Sequence, residues 1–91
     1  MSEQEMSGRV ALVTGGGSGI GRASALAFAR AGAQVVVSDV AIEAGEATVQ
    51  AIRAAGGTAV FQPADVANSD QVSALVARSI QEFGRLDFAH N

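Results

Sequence analysis

The residues best suited to chemistry in this chain form a glycine-rich segment, Thr14–Gly21, with the sequence TGGGSGIG. The segment directly follows an apolar run at residues 10–13 and precedes a stretch with helical spacing. A diphosphate can approach such a backbone closely because no Cβ intrudes. The N–H groups and the dipole at the start of the following helix also favour an anion. The segment therefore predicts a turn that binds a nucleotide pyrophosphate.

The composition indicates binding more clearly than catalysis. The chain has no tyrosine, and all six of its basic residues are arginines. Two side chains that can transfer protons in enzymes are therefore missing. The absence of cysteine excludes disulfides, zinc–thiolate sites and thiol catalysis. A formal charge of -3 argues against nucleic-acid binding, which requires clustered basic residues.

The ends of the chain and its hydropathy suggest one small domain. The first eight residues are polar and acidic and contain no apolar core of a signal peptide. We expect residues 1–8 to form a mobile tail and residues 9–91 to form the domain. No stretch approaches the roughly 20 apolar residues of a membrane span, so no membrane partner is expected. These features favour a cytoplasmic protein.

From residue 9 onward, short apolar runs alternate with segments of helical spacing, which is typical of an α/β fold with a parallel sheet. We predict strands at 10–13, 34–39, 58–62 and 86–90, and helices at 19–32, 42–55 and between 68 and 84. The third helix begins at the cap residue Asn68, with Gln71 three residues later, and ends at Gly84. Right-handed crossovers then give the strand order 3-2-1-4, with the first two helices on one face and the third on the other.

The two later helices each have a predicted buried face. In the second helix it consists of Thr48, Val49, Ile52 and Ala55. In the third helix it consists of Val72, Leu75, Val76, Ser79, Ile80 and Phe83.

The glycine spacing separates this segment from other nucleotide-binding turns. In a G-x-G-x-x-G pattern starting at Gly15 the third glycine would fall on Ile20, and a P-loop would require a lysine. The spacing Gly15-x-x-x-Gly19-x-Gly21, preceded by Thr14, resembles the signature of the short-chain dehydrogenase/reductase family. The alternative, a tight turn that binds nothing, does not require so many glycines.

Further matches to that family follow in order along the chain. They are Asp39 at the end of the second strand, Asp65-Val66 after the third, and Leu86-Asp87, which leads into Asn91. The resemblance covers nearly all of residues 9–91. It implies a three-layer αβα Rossmann-type parallel sheet, present here in part with about four strands and three helices, that binds a dinucleotide cofactor.

Asp39 lies 18 residues beyond Gly21, close to the spacing of about 20 expected for an acid that accepts hydrogen bonds from the adenosine ribose. Its carboxylate would repel a 2′-phosphate. Family members that prefer NADP usually carry a basic residue at the positions occupied here by Ser18 and Val40. The resemblance therefore predicts NAD in preference to NADP. The alternative role for Asp39 is a simple helix cap, and the two roles are compatible.

The resemblance also implies the other cofactor contacts. Asp65 would accept a hydrogen bond from the adenine amino group, the backbone of Val66 would complete that contact, and Asn91 would lie beside the adenosine ribose. The remaining predicted contacts are Thr14, Gly15, Gly17, Ser18, Gly19, Ile20, Gly21 and Val40. The alternative for Asp65 is a turn residue after Pro63.

Two further residues have side chains that could bind phosphate or act as a general base, but we favour structural roles for both. Arg22 directly follows the glycine turn, but helix geometry points it away from the N–H groups, so a solvated arginine is favoured over a phosphate ligand. His90 is the sole histidine and could act as a general base. Without a nearby nucleophile or acid pair, a packing role is favoured.

In the family, a tyrosine transfers the substrate proton, a lysine four residues later lowers the pKa of that tyrosine, and a serine orients the substrate. This chain ends before the segment that would carry them, so it resembles the front third of such an enzyme. We predict the NAD(H)-binding portion of an oxidoreductase that does not turn over by itself. A stand-alone, non-catalytic module that binds NAD or self-associates is the alternative. An S-adenosylmethionine site is weaker, because Thr14 and Asp65-Val66 speak against it.

The topology also predicts self-association. One face of the sheet carries two helices and the other only one, while the strand at 86–90 is an unpaired edge. A homo-oligomer is therefore expected.

Overall fold

Four parallel strands form one sheet in a computed structural model that describes residues 5–90. In chain order the elements are β1 (Val10–Thr14), α1 (Gly19–Arg30), β2 (Gln34–Asp39), α2 (Ile42–Ala54), β3 (Thr58–Pro63), α3 (Ser69–Phe83) and β4 (Phe88–His90). The strand order is β3-β2-β1-β4, which confirms the predicted α/β class and topology. The helices end within about two residues of the predicted positions.

Alternate residues of the central strands supply two separate cores. Val13, Val35 and Val37 are fully buried on the face that α1 and α2 cover. Leu12 and Val36 point to the opposite face, where they pack with Leu75 of α3. A strand that is buried on both faces needs a continuous apolar run, which is the pattern at residues 10–13 and 35–37.

The register brings the carboxyl ends of the strands to one edge of the sheet. Thr14 at the end of β1 lies opposite Ser38 of β2, and Val13 lies opposite His90 of β4. Strands β2 and β3 lie on one side of β1, and β4 lies on the other side, so the direction in which strands are added reverses at β1. In open α/β sheets, ligands bind in the crevice at such a reversal point.

The amino-terminal end of α3 is fixed by the predicted cap. The Asn68 side chain accepts hydrogen bonds from the N–H groups of Asp70 (2.9 Å) and Gln71 (3.2 Å). Gln71 does not complete the reciprocal capping pair. Its Oε1 accepts from the N–H of Asp65 at 2.7 Å, so it ties the helix to the loop after β3 instead. At the other end, Gly84 adopts φ +83°, which terminates the helix in a left-handed conformation.

Two predicted buried faces are only partly buried. Leu75 and Ser79 of α3 are buried, but Val72, Val76 and Ile80 are 37%, 36% and 49% exposed. The reason is that α3 alone covers its face of the sheet, so the flank of the helix has no neighbour among the described residues. In α2 the predicted face ends earlier, because Ala55 lies beyond the helix and is exposed.

The predicted mobile tail at residues 1–8 includes residues 1–4, which lie outside the described part. Residues 5–8 form a turn whose backbone is attached to the end of α1. The N–H of Met6 donates to the carbonyl of Ala31 at 2.7 Å, and Met6 itself is half-buried. None of the helices in the described range is long and apolar enough to cross a membrane.

Strand β4 begins at Phe88 rather than at Leu86 as predicted, and the preceding residue, Asp87, joins it to the start of β1. Its Oδ2 accepts from the N–H of Val10 at 2.8 Å, and its own N–H donates to the carbonyl of Val10 at 2.9 Å. Arg85 donates to both carboxylate oxygens, at 2.9 and 2.6 Å. The hydrogen bonds from Arg85 and then from Val10 hold the pKa of Asp87 below its ordinary value.

We expect Asp87→Asn to lower the midpoint of thermal unfolding at pH 7. A depressed native-state pKa means that the contribution of Asp87 is present above the pKa of the unfolded carboxyl group, about 3.9, and is lost as the pH falls through the native value. The gap between wild type and variant, measured by circular dichroism, should therefore narrow progressively as the pH falls below about 5. Glu46→Gln, on an exposed position of α2, is the matched control. A gap that is the same at every pH would contradict this role.

Candidate functional site

The glycine turn occupies the carboxyl end of β1, at the reversal point of the sheet. Gly15 adopts φ +65°, a left-handed conformation that favours glycine. The N–H of Gly16 donates to the carbonyl of Ser38 at 3.0 Å, which holds the turn against β2. Gly21 packs so closely that an added Cβ would collide with the carbonyl of Gly15. An added Cβ would also lie only 2.7 Å from Val37 at Gly16 and 2.8 Å from Ala44 at Gly17. At Gly15 and Gly19 the space is open, and a positive φ is what favours glycine there.

The first turn of α1 faces the same crevice, and no side chain within that turn neutralises its positive potential. Ser18 is the residue before the helix, and its side chain makes no capping hydrogen bond to the described residues. The first turn also contains no acidic residue. The N–H groups at the start of a helix otherwise have no intrahelical partner, and the helix dipole adds positive potential there. This 12-residue helix thus presents uncapped donors beside the glycine turn.

Asp39 lies at the end of β2 and uses both carboxylate oxygens on the backbone. Its Oδ2 accepts from the N–H of Gly17 at 2.9 Å, and its Oδ1 accepts from the N–H of Ala41, just before α2, at 2.9 Å. The cap-like role that was the alternative for this residue is thus present in the structure. The same carboxylate also places a negative charge directly beside the glycine turn.

Large apolar side chains surround this edge of the sheet without being buried. Ile20 is 78% exposed, Val40 is 69% exposed and Val66 is 51% exposed. Each of them follows a strand end: β1, β2 and β3 respectively. Scattered apolar residues on a surface are ordinary, but three at the carboxyl edge of one parallel sheet suit a planar apolar group.

The other predicted site residues lie at the same edge. The Oγ1 of Thr14 donates to the carbonyl of His90 at 3.3 Å, which joins the ends of β1 and β4. Asp65 is exposed after β3, and its Oδ1 accepts from the N–H of Ala67 at 2.9 Å. The turn role considered for Asp65 is therefore present. Asn91 lies outside the described residues.

Arg22 was expected to be solvated, and that expectation is wrong. It is half-buried, and its Nη1 donates to the Oγ1 of Thr48 in α2 at 3.1 Å. Thr48 is fully buried and in turn donates to the carbonyl of Gly16 at 2.8 Å. Sequence reasoning placed Thr48 on the buried face of α2 but missed its contact with the turn. The available signal was a hydroxyl on an otherwise apolar face, since a buried hydroxyl requires a partner.

His90 has the packing role that was favoured for it. Its Nε2 lies 3.0 Å from the Oγ of Ser24 on α1, and the neighbouring Phe88 ring stacks on Phe28 with centroids 5.8 Å apart. These contacts fasten β4 to α1. Within residues 5–90, no group of three or more His, Asp or Glu side chains could hold a metal ion.

Comparison with known proteins agrees with this geometry. Residues 9–91 match the family described as short chain dehydrogenase. The chain is 47% identical over 87 residues to a 2,5-dichloro-2,5-cyclohexadiene-1,4-diol dehydrogenase of Sphingobium indicum, covering 96% of this chain and 34% of that protein. It is 43% identical over 83 residues to a cyclohexanol dehydrogenase of an Acinetobacter species, covering 91% of this chain and 33% of that protein.

Two solved structures share the fold closely. A hydroxysteroid dehydrogenase from Escherichia coli superposes with a TM-score of 0.91 at 37% identity, covering 96% of this chain and 37% of that one. A short chain dehydrogenase/reductase from Burkholderia phymatum in complex with NAD gives 0.90 at 40% identity, covering 93% and 30%.

The chain therefore belongs to the short chain dehydrogenase family, a family of oxidoreductases that bind nicotinamide dinucleotide cofactors. It spans about a third of the length of the curated relatives it matches.

Proposed function

We propose that residues 9–91 form the NAD(H)-binding domain of a short-chain dehydrogenase/reductase-type oxidoreductase. One observation carries this proposal: the uncapped, acid-free first turn of α1 lies beside a glycine turn, and Asp39 stands at the end of the next strand. In that turn an added Cβ at Gly16, Gly17 or Gly21 would collide with neighbouring atoms. The pyrophosphate would lie on the turn and the first turn of α1. The residues assigned to these contacts are Thr14, Gly15, Gly17, Ser18, Gly19, Ile20 and Gly21.

The adenosine half of the cofactor would lie across the ends of β2, β3 and β4. Asp39 would accept hydrogen bonds from the ribose, with Val40 beside it. Asp65 and the backbone of Val66 would contact the adenine, and Asn91 would lie near the ribose. The exposure of Ile20, Val40 and Val66 supports this placement, because a bound adenosine would cover apolar surface that the described residues leave open.

The charge beside the turn favours NAD over NADP. A 2′-phosphate on the ribose would approach the Asp39 carboxylate, and the neighbouring Ser18 and Val40 provide no compensating cation. Arg22 is engaged with Thr48 on α2. Two like charges within a few ångströms at a partly buried site repel by a few kcal/mol, so the preference should exceed about tenfold.

We expect titration calorimetry to show NAD⁺ binding at least about tenfold tighter than NADP⁺. Asp39→Asn removes the charge and keeps one oxygen that can accept from Gly17, while its NH2 group replaces the oxygen that accepts from Ala41. It should bring the two affinities to within about threefold. Asp39→Ala is less informative, because it also removes the acceptor for the turn.

Gly21→Ala serves as the control that should bind neither cofactor, since its Cβ would collide with the carbonyl of Gly15. Equal or tighter binding of NADP⁺ by the wild-type chain would refute the preference for NAD.

The 91-residue chain alone is proposed to lack turnover. It contains neither tyrosine nor lysine, the pair that resemblance to the family assigns to proton transfer. Without a positioned proton donor, hydride transfer loses general acid–base assistance, typically worth 10²–10⁴-fold in rate. The geometry at His90 offers no substitute, because its Nε2 contacts Ser24.

We expect no NADH formation when the purified chain is incubated with NAD⁺ and alcohols such as cyclohexanol, followed at 340 nm. Steady NADH production that co-purifies with the wild-type chain, and that disappears in Gly21→Ala, would overturn this expectation.

The two edge strands of the sheet, β3 and β4, differ in how easily a strand of another chain could pair with them. On edge strand β3, Arg53 donates to the carbonyl of Ala59 at 3.1 Å, Arg78 donates to Gln62 at 2.9 Å, and Pro63 has no N–H. Such features hinder strand pairing. Edge strand β4 has no comparable arginine contact among the described residues. The flank of α3 also leaves Val72, Val76 and Ile80 partly exposed. These surfaces support the proposal that the chain forms a homodimer or a larger assembly.

We expect sedimentation velocity at micromolar concentration to show a dimer or larger species. Val76→Lys places a charge on the exposed apolar flank of α3 and should produce monomers if that flank is the contact. Gln81→Lys, at an exposed polar position of the same helix, is the matched control. Assembly retained in Val76→Lys would assign the contact to β4. A monodisperse wild-type monomer with cooperative unfolding would refute self-association.

A further inference from the structure

The peptide group between Gly16 and Gly17 is held at both of its polar atoms. The carbonyl of Gly16 accepts from the Oγ1 of Thr48 at 2.8 Å. The N–H of Gly17 donates to the Oδ2 of Asp39 at 2.9 Å. The carbonyl and the N–H of a trans peptide point in opposite directions, so these two side chains hold the peptide plane from opposite sides. The orientation of this peptide fixes where the turn continues toward α1.

Thr48 is itself fixed by the elements around it. It is fully buried in α2, and its hydroxyl lies 3.3 Å from the carbonyl of Ala44 one turn earlier. The guanidinium of Arg22 donates to the same hydroxyl at 3.1 Å, from the first turns of α1. Because the arginine occupies an acceptor position of the Thr48 oxygen, the hydroxyl proton is directed to a carbonyl. Arg22, Thr48 and Gly16 thus form one chain of hydrogen bonds across α1, α2 and the turn.

We propose that Thr48 is a positioning residue of the cofactor site, with Arg22 as its partner. Thr48 does not touch the proposed cofactor position. It holds the Gly16–Gly17 peptide so that the turn presents its N–H groups before a ligand arrives. This inference rests on the proposed function, since the benefit of a preformed turn is expressed in the affinity for a dinucleotide. Binding is strongest when the protein does not have to order the site on association.

Two substitutions isolate the hydroxyl group. Thr48→Val keeps the β-branched shape but leaves the carbonyl of Gly16 with no side-chain donor. Thr48→Ser keeps the donor and removes a methyl group. A lost hydrogen bond to a buried acceptor is expected to weaken NAD⁺ binding about five- to tenfold in Thr48→Val, whereas Thr48→Ser should bind within about twofold of wild type. Ile52→Val, in the same helix and 1% exposed, is the control for a general loss of core packing and should not change affinity.

A second readout does not require a ligand. In the ¹⁵N-labelled chain without NAD⁺, the amide resonance of Gly17 should shift and exchange faster with solvent in Thr48→Val, and it should stay near its wild-type position in Thr48→Ser and Ile52→Val. If Thr48→Val does not fold, Thr48→Ala removes the same hydroxyl without placing a methyl group against the carbonyl, and the same two effects are expected.

The outcomes separate this inference from the proposed function. If the wild-type chain binds NAD⁺ and the hydroxyl-free variant binds it equally well, the role of Thr48 is refuted. The proposed function is then unaffected. Wild-type chain that does not bind NAD⁺ would refute the proposed function. In that case the Gly17 amide would still test whether Thr48 holds the Gly16–Gly17 peptide, and an unchanged resonance in the hydroxyl-free variant would refute that role.

Discussion

Strand β1 has no free side. β2 pairs along one of its edges and β4 along the other, α1 and α2 cover one face, α3 covers the opposite face, and Val10, Ala11 and Val13 are fully buried. A strand enclosed in this way cannot shift its register without repacking the close-packed cores on both of its faces. The turn that follows it is therefore held at a defined point of the sheet. Asp87 secures the other end of the strand through the backbone of Val10.

The enclosure of β1 explains why the glycine turn can be both tight and functional. Because the strand that enters the turn is enclosed at both edges and on both faces, the turn can contain several glycines without becoming flexible. Glycine costs conformational entropy on folding. The hydrogen bonds that the turn donates to Ser38 and Asp39 and accepts from Thr48 offset part of that cost. Rigidity here comes from the neighbours of the turn rather than from the turn itself.

The sequence predicted features that depend on periodicity and missed those that depend on side-chain direction. Apolar runs, helix caps and the right-handed crossover rule were sufficient for the strand order and for Asn68 at the start of α3. Arg22 was misjudged because its position on the helix surface does not reveal that a buried hydroxyl on α2 lies within reach. Gln71 contacts Asp65 instead of its own cap for a similar reason: the loop after β3 folds back over the helix start. The exposure of Val76 and Ile80 depends on which elements cover the sheet, and periodicity within one helix does not contain that information.

Asp39 couples the shape of the site to its electrostatics. A carboxylate that only repelled a 2′-phosphate could be replaced freely, and a cap that only closed a turn could be an asparagine or a serine. In this chain one carboxylate accepts from Gly17, accepts from Ala41 and carries the charge beside the turn. Any substitution there changes the turn and the local potential together, so selectivity cannot be altered without some effect on the preformed turn. Thr48 holds the other end of the same peptide without a charge. The structure thus contains one contact that affects shape and charge and a second that affects shape alone, which allows the two contributions to cofactor affinity to be measured separately.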